Sequence, residues 1–253
     1  MIYCKNICIS LAIIFSTHVF GSDLTNKTKK YDAIIFDMDG TIVDTETIWR
    51  KTISILLLKQ GIKITEEQEK FTYAKSRDLS AIEKAKALIK DYDLKNITAE
   101  QIVIERGDIA EELYKTGLSY IDGFKEFFEK VKKLNLKVAI ATDADEKFIN
   151  IVNKSINIRT FFGEYIYGRH NVANQWKPCP AIFLYAASQI NVDPSRCIAI
   201  DDAPCGIKAC NDAGMFSIGF NSSGIQSDVV NARLPVNKYE EINLEDLIYE
   251  QNK

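Results

Sequence analysis

The sequence predicts an α/β fold: a parallel sheet flanked by helices, with a small all-helical cap inserted after the first strand. Three observations predict it. Short apolar runs bounded by turn residues recur along the chain, segments with helical apolar spacing separate them, and residues 45–118 break that rhythm with helical patterns alone.

The first thirty residues pair Lys5 with an apolar run from Ile7 to about Phe20, then Gly21, Ser22 and a polar stretch. That layout predicts a secretory signal over residues 1–22, with export to the periplasm or outside the cell. An uncleaved anchor or a wrongly assigned start, with a cytoplasmic protein, is the alternative. The run is short for a membrane span, so no stable membrane insertion of the mature chain is expected. The lysines of residues 27–30 read as a linker. The core is expected over residues 31–44 and 119–253. Its strands are AIIF at 33–36, KVAIAT at 137–142, EYIYG at 164–168, CIAI at 197–200 and FSIGF at 216–220. Residues 123–135 place Phe124, Phe127, Phe128, Val131 and Leu134 on one helical face. Helices are also expected at 180–190, opened by Pro180, and at 206–214, closed by Gly214. Right-handed crossovers between parallel strands make this a Rossmann-like arrangement, which binds ligands beyond the carboxyl ends of its strands. Residues 45–118 carry three helical stretches, and Thr98 with Gln101 offers a capping pattern for the last. They read either as extra packing helices or as a cap over the strand ends.

Composition narrows the chemistry. With 253 residues, 46% hydrophobic and 26% charged, the chain can bury an ordinary core. A net charge of -3 without a basic stripe argues against nucleic acid as a partner. The six cysteines fit no zinc or redox spacing. Cys179, Cys197, Cys205 and Cys210 read as small buried thiols, although export would permit a disulfide. Two histidines, His18 and His170, leave little for a Ser-His or two-His mechanism, and His170 reads as a loop or surface residue. No GxxxxGK[ST] or GxGxxG is present.

Acids gather where the strands end. Asp37 and Asp39 come after the first, Thr142 closes the second, and Asp201 with Asp202 comes after CIAI. Lys177, in WKPCP, precedes the helix leading to that last strand. Crowded carboxylates repel, and a hard cation such as Mg2+ would relieve them while engaging phosphate oxygens. Alternation along an extended chain sends Asp37 and Asp39 to similar sides, so one can attack while the other handles a proton. Gly40 permits a tight turn, Thr41 can cap the segment after it, and Lys177 can offset phosphoryl charge.

Together, DMDGTIVD, ATD, KPCP and IDDAPCGIKACNDAGM resemble the haloacid dehalogenase-like hydrolases, most closely the phosphatase and phosphoglycomutase-like branch with a helical cap. The resemblance covers residues 31–220 in the right order. It implies that Asp37 is the nucleophile and Asp39 the general acid and base. Mg2+ would be held by the Asp37 carboxylate, the Asp39 carbonyl and Asp202, with Asp201 as a ligand or close beside. Thr142 and the N–H of Asp143 would hold phosphate, with Lys177 opposite. The second Asp favours a phosphate ester over a haloacid.

Two positions depart from the family pattern. Asp143 stands where Ser, Asn or Gly is usual, and Ala203 where a Ser often comes after the acidic pair. Neither removes a central group, so activity is expected. Trp49 falls where sugar-phosphate mutases of this branch carry a His, which favours a simple phosphatase; Trp49 itself reads as a packing residue. Arg77 either descends from the cap towards substrate or starts a helix in solvent. The expected function is a Mg2+-dependent phosphatase of a small phosphorylated metabolite, acting as a monomer. A mutase, or a phosphate-binding or partner-binding protein that has lost turnover, are the alternatives.

Overall fold

In the computed structural model, residues 27–77 and 79–251 are described. The expected export signal, residues 1–22, lies outside them. The chain runs through β1 (Lys27–Lys29) and β2 (Ala33–Phe36), then four helices: α1 (Glu46–Lys59), α2 (Glu66–Ala74), α3 (Ala81–Tyr92) and α4 (Ala99–Thr116). It continues through α5 (Phe124–Lys133), β3 (Lys137–Thr142), α6 (Glu146–Ile156), α7 (Arg159–Phe162), β4 (Ile166–Gly168) and α8 (Ala181–Gln189). The last part comprises β5 (Cys197–Asp201), α9 (Pro204–Asp212), β6 (Phe216–Phe220), α10 (Gln226–Val229), β7 (Leu234–Val236), α11 (Leu244–Ile248) and β8 (Tyr249–Gln251).

Six parallel strands lie in the order β4-β3-β2-β5-β6-β7. The chain moves outward from β2 to β4, then returns to the other side of β2 with β5. That reversal opens a crevice at the carboxyl end of β2. All four residues of β2 are buried, as a strand covered on both faces requires. Ile34 and Phe36 join one apolar layer with Phe124, Phe127, Phe128 and Phe162, whereas Ala33 and Ile35 face a second layer around Phe183, Ala186 and Ala209. Phe36 meets Phe162 edge-on at 5.6 Å. Truncating such a ring costs about 3–5 kcal/mol, so the strand ahead of the turn is firmly held.

The four helices at 46–116 bury a cluster of their own, with Ile53, Leu56 and Leu57 against Ala85, Leu88, Ile102 and Ile109. Three of them open on reciprocal capping boxes: Thr65 with Gln68, Ser80 with Glu83, and Thr98 with Gln101. Each box satisfies amide donors that a helix start leaves unpaired.

Several elements differ from expectation. Residues 27–29 form a strand instead of a linker, pairing antiparallel with β8. This ribbon sits at the amino ends of the sheet, where Lys30 N–H donates to Ile248 O at 2.6 Å and Asp32 N–H donates to Arg196 O at 2.9 Å. β4 starts two residues later than expected, and α9 starts earlier, at Pro204, where the missing amide hydrogen costs nothing. Helices α2, α6, α7, α10 and α11 and strands β7 and β8 are additions to the expected set. No helix among the described residues is long and apolar enough to cross a membrane. The four described cysteines are unpaired, with Cys197 and Cys210 buried.

Candidate active site

The ladder of β2 runs one residue past the strand, since Asp37 N–H donates to Ile200 O at 2.8 Å. The chain then folds back. Met38 O accepts from Ile42 N–H (2.9 Å) and Val43 N–H (3.0 Å), and Gly40 takes φ +78° at the apex. A Cβ at Gly40 would also lie 2.5 Å from Asp202 Oδ2, so the turn needs glycine for conformation and for space. Thr41 does not cap a helix: the next one starts at Glu46, and the buried Thr41 hydroxyl has no partner among the described residues. Its carbonyl accepts from the Tyr239 hydroxyl at 2.9 Å, which ties the turn to the core.

Asp37 emerges 6% exposed, facing Lys177, whose Nζ donates to Asp37 Oδ1 (2.5 Å) and Asp201 Oδ2 (2.8 Å). Burial pushes the Asp37 carboxyl well above the usual range. The Lys177 charge opposes this, and Asp201, Asp202 and Asp39 add to it. Burial also works against the Lys177 charge, but Asp201, Asp37 and Asp143 outweigh it and hold the ammonium well above the usual lysine range. Asp201 lies against the first turn of α9, where a Cβ at Gly206 would come within 2.0 Å of its carboxylate oxygens. A side chain there would have to displace the Asp201 carboxylate. Ala203 N–H donates to Asp201 Oδ1 at 3.0 Å, so the acid itself serves the helix start that Ala203 leaves without a side-chain cap.

The two departures from the family pattern resolve differently. Asp143 turns to the backbone of the lysine loop, where its Oδ1 accepts from Lys177 N–H at 3.2 Å. The carboxylate thereby ties the loop after β3 to the lysine loop. Burial raises its pKa, while Lys177 opposes the rise. Ala203 simply lacks a hydroxyl. Thr142 ends β3 with 1% exposure, its Oγ1 accepting from Ala144 N–H at 3.1 Å. His170 is exposed, as expected.

Asp39 faces the other way, towards the four-helix insertion. The Tyr114 hydroxyl donates to Asp39 Oδ1 at 2.6 Å, and Trp49 Nε1–H donates to Tyr114 Oη at 3.0 Å. Desolvation raises the Asp39 pKa, and hydrogen bonds from Tyr114, Thr45 and Trp49 restrain it. Sequence reading missed Tyr114, which lies 75 residues away inside an ordinary helical pattern.

Arg77 descends from the loop between α2 and α3 and is buried. Its Nη2 donates to Asp202 Oδ2 (2.8 Å), its Nη1 to Glu46 Oε2 (3.2 Å), and its Nε lies 2.6 Å from Asp228 Oδ2. Asp202 also accepts from the Ser222 hydroxyl at 3.1 Å. Burial lifts the Asp202 pKa to about 6, with Arg77 pulling it down and Asp201 pushing it up. Neither Glu46, Ser222 nor Asp228 carried a sequence signal.

Thus Asp37, Asp201, Lys177 and Asp143 meet directly, and Asp39 and Asp202 flank them through the Gly40 turn. As placed, Asp37 and Asp201 turn to Lys177, Asp202 to Arg77 and Asp39 to Tyr114. Among the described residues, no group of three or more His, Cys, Asp or Glu side chains is spaced to hold a metal ion. The donor set is nevertheless all oxygen and over-rich in negative charge, which fits a hard divalent cation in kind.

Comparison with known proteins gives the same direction. The chain is 26% identical over 187 residues to (DL)-glycerol-3-phosphatase 2 of Arabidopsis thaliana, covering 72% of this chain and 76% of that one. It is 27% identical over 186 residues to the 6-phosphogluconate phosphatase of Escherichia coli, covering 74% and 80%. Its fold superposes on a beta-phosphoglucomutase from Clostridium difficile with a TM-score of 0.66 at 26% identity, over 86% of this chain and 95% of that one. The family profile of haloacid dehalogenase-like hydrolases matches residues 34–220, nearly three quarters of the sequence, and the chain belongs to that family.

Proposed function

We propose that the protein is a Mg2+-dependent phosphatase that hydrolyses a small phosphorylated metabolite, such as a sugar phosphate, through an aspartyl-phosphate intermediate. The observation that carries this reading is Asp37: a buried carboxylate at the carboxyl end of the central strand, fixed by Lys177 at 2.5 Å, with Asp39 two residues on. Asp37 attacks phosphorus while Asp39 gives a proton to the departing alkoxide. Asp39 then takes a proton from the water that cleaves the aspartyl phosphate. Thr142 and the Asp143 N–H hold the phosphoryl oxygens, and Lys177 offsets their charge. The Asp37 carboxylate, the Asp39 carbonyl and Asp202 would hold the cation, with Asp201 beside them, once Lys177 and Arg77 yield to it. The ion would supply charge neutralisation to the transferring phosphoryl group. Helices α1–α4 shield the site from bulk water.

The similarity to glycerol, sugar-acid and carbohydrate phosphatases supports a small substrate. The test is phosphate release from an aryl phosphate and a panel of sugar and polyol phosphates, with Mg2+ or with chelator. Asp37→Asn should lose at least about 10³-fold in rate. Release that survives this substitution would overturn the nucleophile assignment. Turnover that requires an added sugar bisphosphate would favour a mutase instead.

A further inference from the structure

Trp49 and Tyr114 do more than pack. Tyr114 is 1% exposed near the end of α4, with its ring edge-on to Phe148 of α6 at 5.3 Å. Trp49 meets both rings, at 6.3 Å from Tyr114 and 5.9 Å from Phe148. The backbone behind Trp49 is fixed in turn: its carbonyl accepts from the Thr52 hydroxyl (2.6 Å) and from Arg106 Nη2 (3.2 Å). An indole N–H can only donate, so the Trp49 contact makes the Tyr114 oxygen an acceptor. The Tyr114 hydroxyl, with Thr45 as a further polar neighbour, donates to Asp39 Oδ1 at 2.6 Å.

We propose that Tyr114, oriented by Trp49, is a positioning residue that keeps Asp39 Oδ1 as a permanent acceptor and so leaves Oδ2 as the oxygen that exchanges protons with the substrate. This rests on the phosphatase reading above. As the ester P–O bond breaks and the Asp37–phosphorus bond forms, the Oδ2 proton passes to the alkoxide, and the resulting Asp39 anion keeps its bond to Tyr114. Attack by water then forms a new O–P bond, breaks the Asp37–phosphorus bond to release the Asp37 carboxylate, and returns a proton to Oδ2. Tyr114 gains and loses nothing over the cycle. With its oxygen occupied by the Trp49 N–H, its phenol stays a donor to Asp39 throughout. The two aromatic residues thereby set which leaving groups the enzyme can expel: esters of ordinary alcohols need the proton, whereas nitrophenyl esters do not.

The experiment compares kcat/KM for 4-nitrophenyl phosphate and glycerol phosphate in the full chain, Tyr114→Phe and Trp49→Phe, each with Mg2+. This ratio covers steps up to departure of the leaving group, so it isolates proton donation. Tyr114→Phe should lose about ten- to a hundredfold on glycerol phosphate and less than about twofold on the nitrophenyl ester. Trp49→Phe should shift both values in the same sense by less. A loss shared equally by both esters, or absent from both, would overturn the assignment as structural or idle. If Tyr114→Phe does not fold, Trp49→Phe decides by the same split. A wild-type chain inactive on every ester would overturn this proposal together with the phosphatase reading, a result distinct from an active wild type with no split.

Discussion

The two walls of the crevice hold their acids by opposite means. On the core wall, Asp37 and Asp201 share the buried ammonium of Lys177, charge answering charge. On the wall formed with α1 and α4, Asp39 is held by Tyr114 and Trp49, which are neutral donors. The contrast suits the proposed division of labour. A nucleophile among three other carboxylates must stay anionic, and only a fixed cation offsets the cost of burying it. A proton carrier must change charge twice per turnover. A full counter-ion would trap it as an anion, whereas a neutral donor steadies it without fixing its state.

The hardest test of this contrast is Lys177→Met. It strands two buried carboxylates, and breaking such a pair costs about 3–5 kcal/mol, which a denaturant melt would read. Adding Asp201→Asn removes one stranded charge and should recover part of that loss. Failure of the double variant to recover would break the idea that Lys177 serves charge balance. Tyr114→Phe should cost only about 1 kcal/mol in the same melt, because it removes a hydrogen bond and no charge.

A second effect, smaller and shared by both walls, is the dependence of stability on pH without divalent cation. Asp37 and Asp39 are raised, and Asp202 lies at about 6, all by burial first. Because these folded values exceed the unfolded one near 3.9, the native state binds protons more tightly. Stability should therefore fall as pH rises through roughly 4 to 6. The raised Lys177 works the same way but only at alkaline pH, as it loses its proton. A melting temperature that climbs with pH between 4 and 6 would show that Lys177 and Arg77 overcompensate the acids. The smallest expected change is Ala203→Ser, which offers α9 the side-chain cap it lacks. A gain of about 0.5–1 kcal/mol with unchanged kcat would confine that position to helix capping.

Much of this is legible in the sequence for physical reasons. Parallel strands buried on both faces must be apolar runs, so AIIF, KVAIAT and FSIGF coincide with β2, β3 and β6. Strand β7 stays hidden because Leu234, Pro235 and Val236 are too short a run, and proline demotes a strand that an edge position tolerates. Helix α2 shows little apolar periodicity, with Glu69 and Thr72 as its buried residues, although its Thr65 and Gln68 carry a capping signal. At the site, Asp37, Asp39, Asp201 and Lys177 are readable because turns and strand ends betray them locally. Tyr114 is not, since a buried tyrosine in a helix is ordinary until its distant partner is known. Trp49 reads as packing, and its ring does pack, but its one polar atom carries a further contact. Arg77 leaves two readings open in the sequence, and burial against Glu46, Asp202 and Asp228 excludes the exposed one.

The β1–β8 ribbon gives the molecule a usable polarity. It gathers the first and last strands at the amino ends of the sheet, while Asp37, Thr142 and Asp201 stand at the carboxyl ends. A tether attached ahead of Lys27 or beyond Gln251 therefore leaves from the edge away from the crevice. Attachment through β1 or β8 would keep a surface or a bulky passenger at the edge opposite Asp37, Thr142 and Asp201.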